Sequence, residues 1–253
     1  MNFYKKLAKY YDQIFPFNSD KQKFITSLLP QHAVSLLDTG CATGELLLFL
    51  EKNRKFKDQL NGLDLDPDLL KQAKKKLSAD VKLFHKDMFT IDSVFPEKNF
   101  DFIFCLGNTL PHLHNITAIK LFLQKCYLLL KPKGSLVLQL VNYPKLLQHQ
   151  KIINLPRIRK KNIVFKRNYE LQADQKHIRF QGTVIDHDQP QEKNEISLSL
   201  VLKSSLHDLL LKTGFGTTSF YGNFKLEKYS QQSPALISIS TKSDQTGSYF
   251  KKK

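Results

Sequence analysis

The hydrophobic positions change their period along the chain, and the change divides it. Phe3, Leu7, Tyr10, Tyr11 and Ile14 fall at helical spacing over residues 3–15, the apolar face of an amphipathic helix. A second helix is expected over 19–29, capped by Ser19 or Asp20 and stopped by Pro30. From residue 33, short apolar runs alternate with helical segments: strand 33–38, helix 45–53, strand 59–66, a Lys-rich helix from Pro67 to about Leu77, and strand 81–85. Strand 100–106, helix 116–130 and strand 134–141 continue the series. Strands that alternate with helices predict a parallel sheet covered on both faces, and strands buried on both faces read as apolar throughout.

After Tyr143 the period shortens to two. Residues 162–171, 177–185 and 194–203 alternate apolar and polar positions with no helix between them, which predicts an antiparallel patch with an exposed loop at 186–194. A helix at 204–213 and strands at 217–221 and 235–241 then resume the first texture. The expected fold class is α/β, a doubly wound, mostly parallel seven-stranded sheet with an inserted antiparallel β subdomain. Its parts are N-terminal helices at 1–30, a core at 31–144 and 204–241, a β cap at 145–203, and a disordered tail at 242–253.

Composition supports a folded chain. The 253 residues are 41% hydrophobic and include 19 Phe, enough for one substantial core with a modest insertion. No apolar run approaches the roughly 18 residues of a membrane-spanning helix, and the N-terminal segment lacks the apolar stretch of a signal peptide. Cys41, Cys105 and Cys126 show no C-x-x-C spacing, which argues against a disulfide framework or structural zinc and suits core or turn positions. No His/Cys/Asp spacing suggests a metal. A soluble, cytoplasmic protein is expected. The net charge of +16 is uneven: residues 145–170 hold eight basic residues and one acid. That stretch attracts an anionic small substrate or RNA, or is a solvated linker.

The most informative segment is Leu37-Asp38-Thr39-Gly40-Cys41-Ala42-Thr43-Gly44-Glu45, a strand end, a tight turn and a helix start. Small residues at 40, 42 and 44 depart from the dinucleotide fingerprint, and an acid two places before Gly40 suits an ammonium better than a pyrophosphate. Asp64 ends the next strand, placed like the acid that holds ribose hydroxyls, whereas Asp66 before Pro67 reads as a helix cap. Asp87 after the third strand can accept a hydrogen bond from an exocyclic amine, with Met88 against a ring. The three acids Asp38, Asp64 and Asp87 thus fall at the C-terminal ends of successive strands, where open α/β sheets bind ligands.

On these residues the chain resembles the class I S-adenosylmethionine-dependent methyltransferases of the small-molecule type, over about 3–144 and again over 204–241. LLDTGCATG, GLDLD, HKDMF and FDFIFCLGNTLPHL resemble the first four family motifs, and Leu-Lys-Pro-Lys-Gly at 130–134 resembles the turn before the fifth strand. The resemblance implies a Rossmann-like sheet and S-adenosyl-L-methionine as cofactor. It places Asp38, Gly40 and Ala42, with Cys41 and Gly44 in the same loop, beside the methionine portion and Asp64 on the ribose. Leu65 and Met88 would flank the adenine, and Asp87 would take its amine. Leu106 and Gly107 would offer backbone groups, and Tyr11 would close over the cofactor from an N-terminal lid. Ala42 stands where many members have glycine, and its methyl fits if the local φ is negative.

Methyl transfer from a sulfonium asks mainly for orientation and desolvation. Asn108 can position an amine or carboxylate and His112 can take a proton near neutral pH; alternatively Asn108 caps a turn and His112 packs locally. The GN-x-x-x-HL run is similar to one in glycine- and sarcosine-type N-methyltransferases, which points to a small amine. A carboxylate acceptor calls for an arginine: Arg157, Arg159, Arg167 or Arg179, among which the sequence does not choose, and Tyr143 is a further pocket candidate. The expected function is methyl transfer to N or O of a small molecule. The alternatives are an RNA methyltransferase using the basic 145–170 stretch, and a cofactor-binding protein without turnover.

Overall fold

The computed structural model describes residues 7–55, 57–96, 99–147, 152–160, 163–186 and 192–244. Phe3, most of the expected loop at 186–194 and the tail beyond 244 lie outside them. The elements run α1 (Leu7–Ile14), α2 (Ser19–Leu28), β1 (Ser35–Thr39), α3 (Glu45–Asn53), β2 (Gln59–Asp64), α4 (Pro67–Lys74), β3 (Lys82–His85), α5 (Ile91–Val94), β4 (Phe100–Cys105), α6 (Ile116–Leu129) and β5 (Leu130–Val141). After the short α7 (Tyr143–Leu146) come β6 (Ile152–Lys160), β7 (Ile163–Leu171), β8 (His177–Asp186) and β9 (Glu192–Ser199). The chain returns through α8 (Lys203–Thr213), β10 (Phe215–Tyr221) and β11 (Ala235–Lys242).

Seven strands form one mixed sheet in the order β10-β11-β5-β4-β1-β2-β3. β3, β2, β1, β4 and β5 run parallel, and β11 is antiparallel to both β5 and β10. The strand order reverses at β1 and β4, where the Thr39 hydroxyl donates to the Phe104 carbonyl at 2.9 Å. Crossovers diverge there, so a crevice opens at the strands' C-terminal ends. One face is covered by α2, α3 and α4 through Phe24, Ile25, Leu46, Leu47, Leu50 and Leu70. The other is covered by α6 and α8 through Ile119, Phe122, Leu123, Leu206 and Leu210. Caps follow local chemistry: Asp66 accepts from the N–H groups of Asp68 and Leu69 at the start of α4, with Pro67 at its first position.

Two expectations shift. The N-cap of α2 is Asn18, not Ser19 or Asp20, because its carboxamide accepts from Lys21 N–H one turn on. Residues 130–134 are not a separate turn; β5 begins at Leu130 opposite Phe100, and a register shift absorbs the left-handed Lys133.

The second sheet is antiparallel, in the order β6-β7-β8-β9. Three of its strands follow the period-two pattern, and β6 adds an edge strand that the pattern did not announce. Its inner face buries Phe165, Tyr169, Ile178, Phe180, Val184 and Leu198 against Leu7, Tyr10 and Ile14 of α1 and against Tyr143. It is also tied to the loop after β4, where the Ser199 hydroxyl donates to the Leu113 carbonyl at 2.6 Å. Helix α1 is therefore held between the small sheet and the crevice. Among the described residues, no helix is long and apolar enough to cross a membrane.

Candidate active site

Two cavities, about 420 Å³ and about 340 Å³, open at the crevice and share Tyr11, Gly40, Ala42, Gly107 and His112 as a common wall. The larger brings together Asp64, Leu65, Asp87 and Met88 from the ends of β2 and β3. Leu65 is 43% exposed although large and apolar, an open flat surface at the mouth of that cavity. The smaller is lined by Asp38, Cys41, Leu106, Asn108 and Arg167 and by the aromatic rings of Phe15, Phe165, Tyr169 and Phe180.

The turn after β1 is made by backbone chemistry. Gly40 has φ +72, and a Cβ there would lie 2.4 Å from Thr109 Cγ2, so only glycine fits. The condition under which a methyl at 42 fits without strain, a negative φ, is not met: Ala42 sits at φ +48. Its N–H donates to Asp64 Oδ2 at 2.8 Å, and that bond holds it in the left-handed region despite the methyl. Gly44, at φ +76, lines neither cavity; it packs on Leu77 and begins α3. Cys41 lines the smaller cavity, but burial beside Asp38 and Asp64 drives its thiol well up, so it is a neutral packing group.

The carboxylates differ in state. Asp38 is 5% exposed and has no hydrogen-bond or ion-pair partner among the described residues. Burial, with Asp64 adding repulsion, pushes its carboxyl up to about 7. Asp64 accepts from Ala42 N–H and, at 2.9 Å, from Asp66 N–H; burial raises its pKa while these bonds oppose the rise. Asp87 accepts from Phe89 N–H at 2.8 Å through one oxygen.

These residues fit S-adenosylmethionine by their donor set. A buried carboxylate without a cation suits the methionine ammonium, and Asp64 has lone pairs left for ribose hydroxyls. The exposed face of Leu65 and the half-used carboxylate of Asp87 suit an adenine ring and its amine. Where glycine stands at 107, φ +73, no atom lies within 4 Å of a would-be Cβ, so the shared wall is open there.

Other expected residues are placed differently. The Gly107 N–H donates to Gln139 Oε1 at 2.8 Å and the Leu106 carbonyl accepts from Thr109, so these backbone groups already have partners. Asn108, at φ +66, lines the smaller cavity, yet its side chain braces β5: Oδ1 accepts from Val141 N–H at 2.9 Å and Nδ2 donates to the Tyr143 hydroxyl at 3.2 Å. Tyr143 is fully buried behind Asn108 and lines neither cavity. His112 faces both cavities, but burial and neighbouring His114 hold it down to about 4, so it is neutral at pH 7 rather than poised to titrate there. Arg167 reaches the smaller cavity. Arg179 does not: it lies at an odd position of β8, on the outer face, paired with Glu170 and Glu195. Arg157 and Arg159 are exposed on β6.

The residues that sequence reasoning missed are Phe165, Tyr169 and Phe180 on the small sheet and Phe15 on the segment after α1. The available signal was the row Ile163, Phe165, Arg167, Tyr169, one face of a strand with a single charge in it.

Residues 36–134 match a family model described as a methyltransferase domain. Over that span the chain resembles methyltransferase domains, and its large sheet has the fold of S-adenosylmethionine-dependent methyltransferases. Over 117 residues it is 29% identical to a phosphoethanolamine N-methyltransferase of Plasmodium falciparum, covering 46% of this chain and 42% of that protein. The chain spans about half the length of the curated relatives it matches. In structure it is similar to the CcbJ methyltransferase of Streptomyces caelestis, with a TM-score of 0.79, 16% identity, and coverage of 94% of this chain and 96% of that one. It is also similar to CalS10, an S-adenosylmethionine-bound amino pentose methyltransferase of Micromonospora echinaspora, with a TM-score of 0.68, 19% identity and coverage of 94% and 96%. At these identities the two structures show a shared fold. Their coverage includes the small sheet, so the methyltransferase domain and its antiparallel addition recur together.

Proposed function

We propose that this methyltransferase domain transfers a methyl group to the nitrogen of a small amine. The observation that carries the reading is the pair of cavities with one common wall: an acid-lined cleft beside an aromatic chamber of about 340 Å³, a volume for a small molecule. Cofactor-binding roles are assigned to Asp38 for the ammonium, Asp64 for the ribose, and Asp87, Leu65 and Met88 for the adenine. The nitrogen preference is supported by relatives named for phosphoethanolamine and an amino pentose. When bound, S-adenosylmethionine would supply an activated sulfonium methyl: the amine lone pair would attack the methyl carbon in line as the S–CH3 bond breaks, leaving S-adenosylhomocysteine.

The chain's own residues do the rest. Tyr11 from α1 and the rings of Phe165 and Tyr169 exclude water from the meeting point, which preserves the alignment of attacking atom and methyl. Asn108 holds the loop after β4 against β5, so its role is positioning. Neutral His112 accepts a hydrogen bond from the amine and orients its lone pair; the amine proton leaves to solvent.

The test is incubation of the full chain with methyl-labelled S-adenosylmethionine and a panel of small primary and secondary amines, alcohols and bulk tRNA, with products read by mass spectrometry. A gain of one methyl on an amine is expected. Label transferred to tRNA or to alcohols alone would contradict the reading.

A further inference from the structure

We propose that the acceptor carries an anionic group, a carboxylate or a phosphate, and that Arg167 of β7 holds it. This deepens the acceptor reading above and rests on it. Ile163, Phe165, Arg167 and Tyr169 occupy alternate positions of β7 and share its inner face. Three of the four are buried and apolar or aromatic; Arg167 is the one charge in the row. It lines the smaller cavity, its guanidinium 6.0 Å from the Phe165 ring centre.

The guanidinium is incompletely partnered. Its Nε is closed off from solvent with no hydrogen-bond partner, and no ion pair among the described residues includes it. A half-buried cation with an unpartnered, enclosed N–H is unfavourable, and desolvation already works against its charge. Arg179, on the outer face of the same sheet, shows the contrast: there the chain supplies both Glu170 and Glu195. Of the two carboxylates that line the same cavity, Glu45 is engaged by Lys76, and Asp38 is assigned to the cofactor ammonium.

Space is provided as well. The residue directly across on β8 is Gly182, so no side chain fills the position beside Arg167 on that face. The planar guanidinium fork matches carboxylate and phosphate oxygens. An acceptor with its anion on Arg167 and its amine toward the Gly40–Gly107 wall is a small zwitterion.

Calorimetry on the full chain saturated with S-adenosylhomocysteine tests this with two matched pairs, phosphoethanolamine against ethanolamine and β-alanine against its amide. In at least one pair the anionic member is expected to bind on the order of 10- to 100-fold more tightly, and the pair that discriminates identifies phosphate or carboxylate. Arg167→Leu is expected to abolish the preference and Arg167→Lys to keep part of it, with S-adenosylhomocysteine affinity unchanged in both. If Arg167→Leu does not fold, the lysine variant and competition by inorganic phosphate or acetate against the wild type decide the question. No discrimination in either pair, or discrimination that survives loss of the guanidinium, overturns the proposal. Methylation of amines regardless of charge overturns this inference alone, whereas absence of any amine methylation overturns the proposed function.

Discussion

The Ala42 N–H lies 2.8 Å from Asp64 Oδ2, so the turn after β1 and the end of β2 are joined before any ligand arrives. That bond keeps an alanine at φ +48, where glycine is at ease and a methyl is strained by about 1 kcal/mol. Ala42→Gly relieves the strain but loosens the unfolded chain. A net change within about 0.5 kcal/mol of zero is expected in chemical denaturation, with cofactor affinity retained. Ala42→Val adds a branched side chain at positive φ and is expected to cost about 2 kcal/mol or more.

Asp38 makes cofactor binding depend on pH. Its carboxyl is raised to about 7 from the ordinary 3.8, so between those values the folded protein binds more protons than the unfolded chain. The stability this group contributes is therefore full below about pH 4 and is lost as pH rises through 7. Asp38→Asn is expected to raise the thermal midpoint at pH 8, with the gain shrinking toward pH 5. An ammonium ligand needs the ionised form, so S-adenosylhomocysteine affinity is expected to fall about fivefold between pH 7 and pH 6. Calorimetry in buffers of different ionisation enthalpy reads the proton released.

His112 predicts a pH–rate profile. Held down to about 4, it is already neutral throughout the working range. With S-adenosylmethionine saturating across the pH range, so that Asp38 does not limit binding, the rate is expected to rise with pH toward the acceptor amine's own pKa, without a break near 6.5. His112→Gln keeps a hydrogen-bonding group and is expected to leave the shape unchanged while lowering kcat about tenfold. A break near 6.5 that disappears in the variant contradicts the neutral role.

Helix α1 is fastened over the cleft by polar contacts. Asp12 accepts from the Thr43 hydroxyl and from Lys76 Nζ, the latter at 2.7 Å, and Lys76 also meets Glu45. These groups are part-exposed, so Lys76→Met is expected to cost about 1 kcal/mol or less of global stability. Its larger effect is expected on the lid: release of S-adenosylhomocysteine in stopped flow should quicken several-fold.

Most of the large sheet was legible because buried parallel strands and amphipathic helices carry different periods, as FDFIFCL and ITAIKLFLQKCYLL do. Strand β6 was not, because Pro156, Arg157, Arg159 and Lys160 read as a linker. In the fold they form a basic edge with a register shift between Leu155 and Ile158, the features that discourage further strand pairing. The acids were legible because each lies at, or within two residues of, the C-terminal end of a strand. What Asn108 and Arg167 do was not, because both depend on register. Asn108 meets Val141 only once β4 and β5 are aligned, and Arg167 faces the cavity while Arg179 faces away by strand parity.

The most direct test of the central claim is calorimetric titration of S-adenosylhomocysteine into the wild type and into Asp64→Ala. A saturable one-to-one isotherm for the wild type is predicted, weakened on the order of 10- to 100-fold in the variant as charge-assisted bonds to the ribose are lost. No detectable binding to the wild type, or equal binding to both proteins, would contradict it.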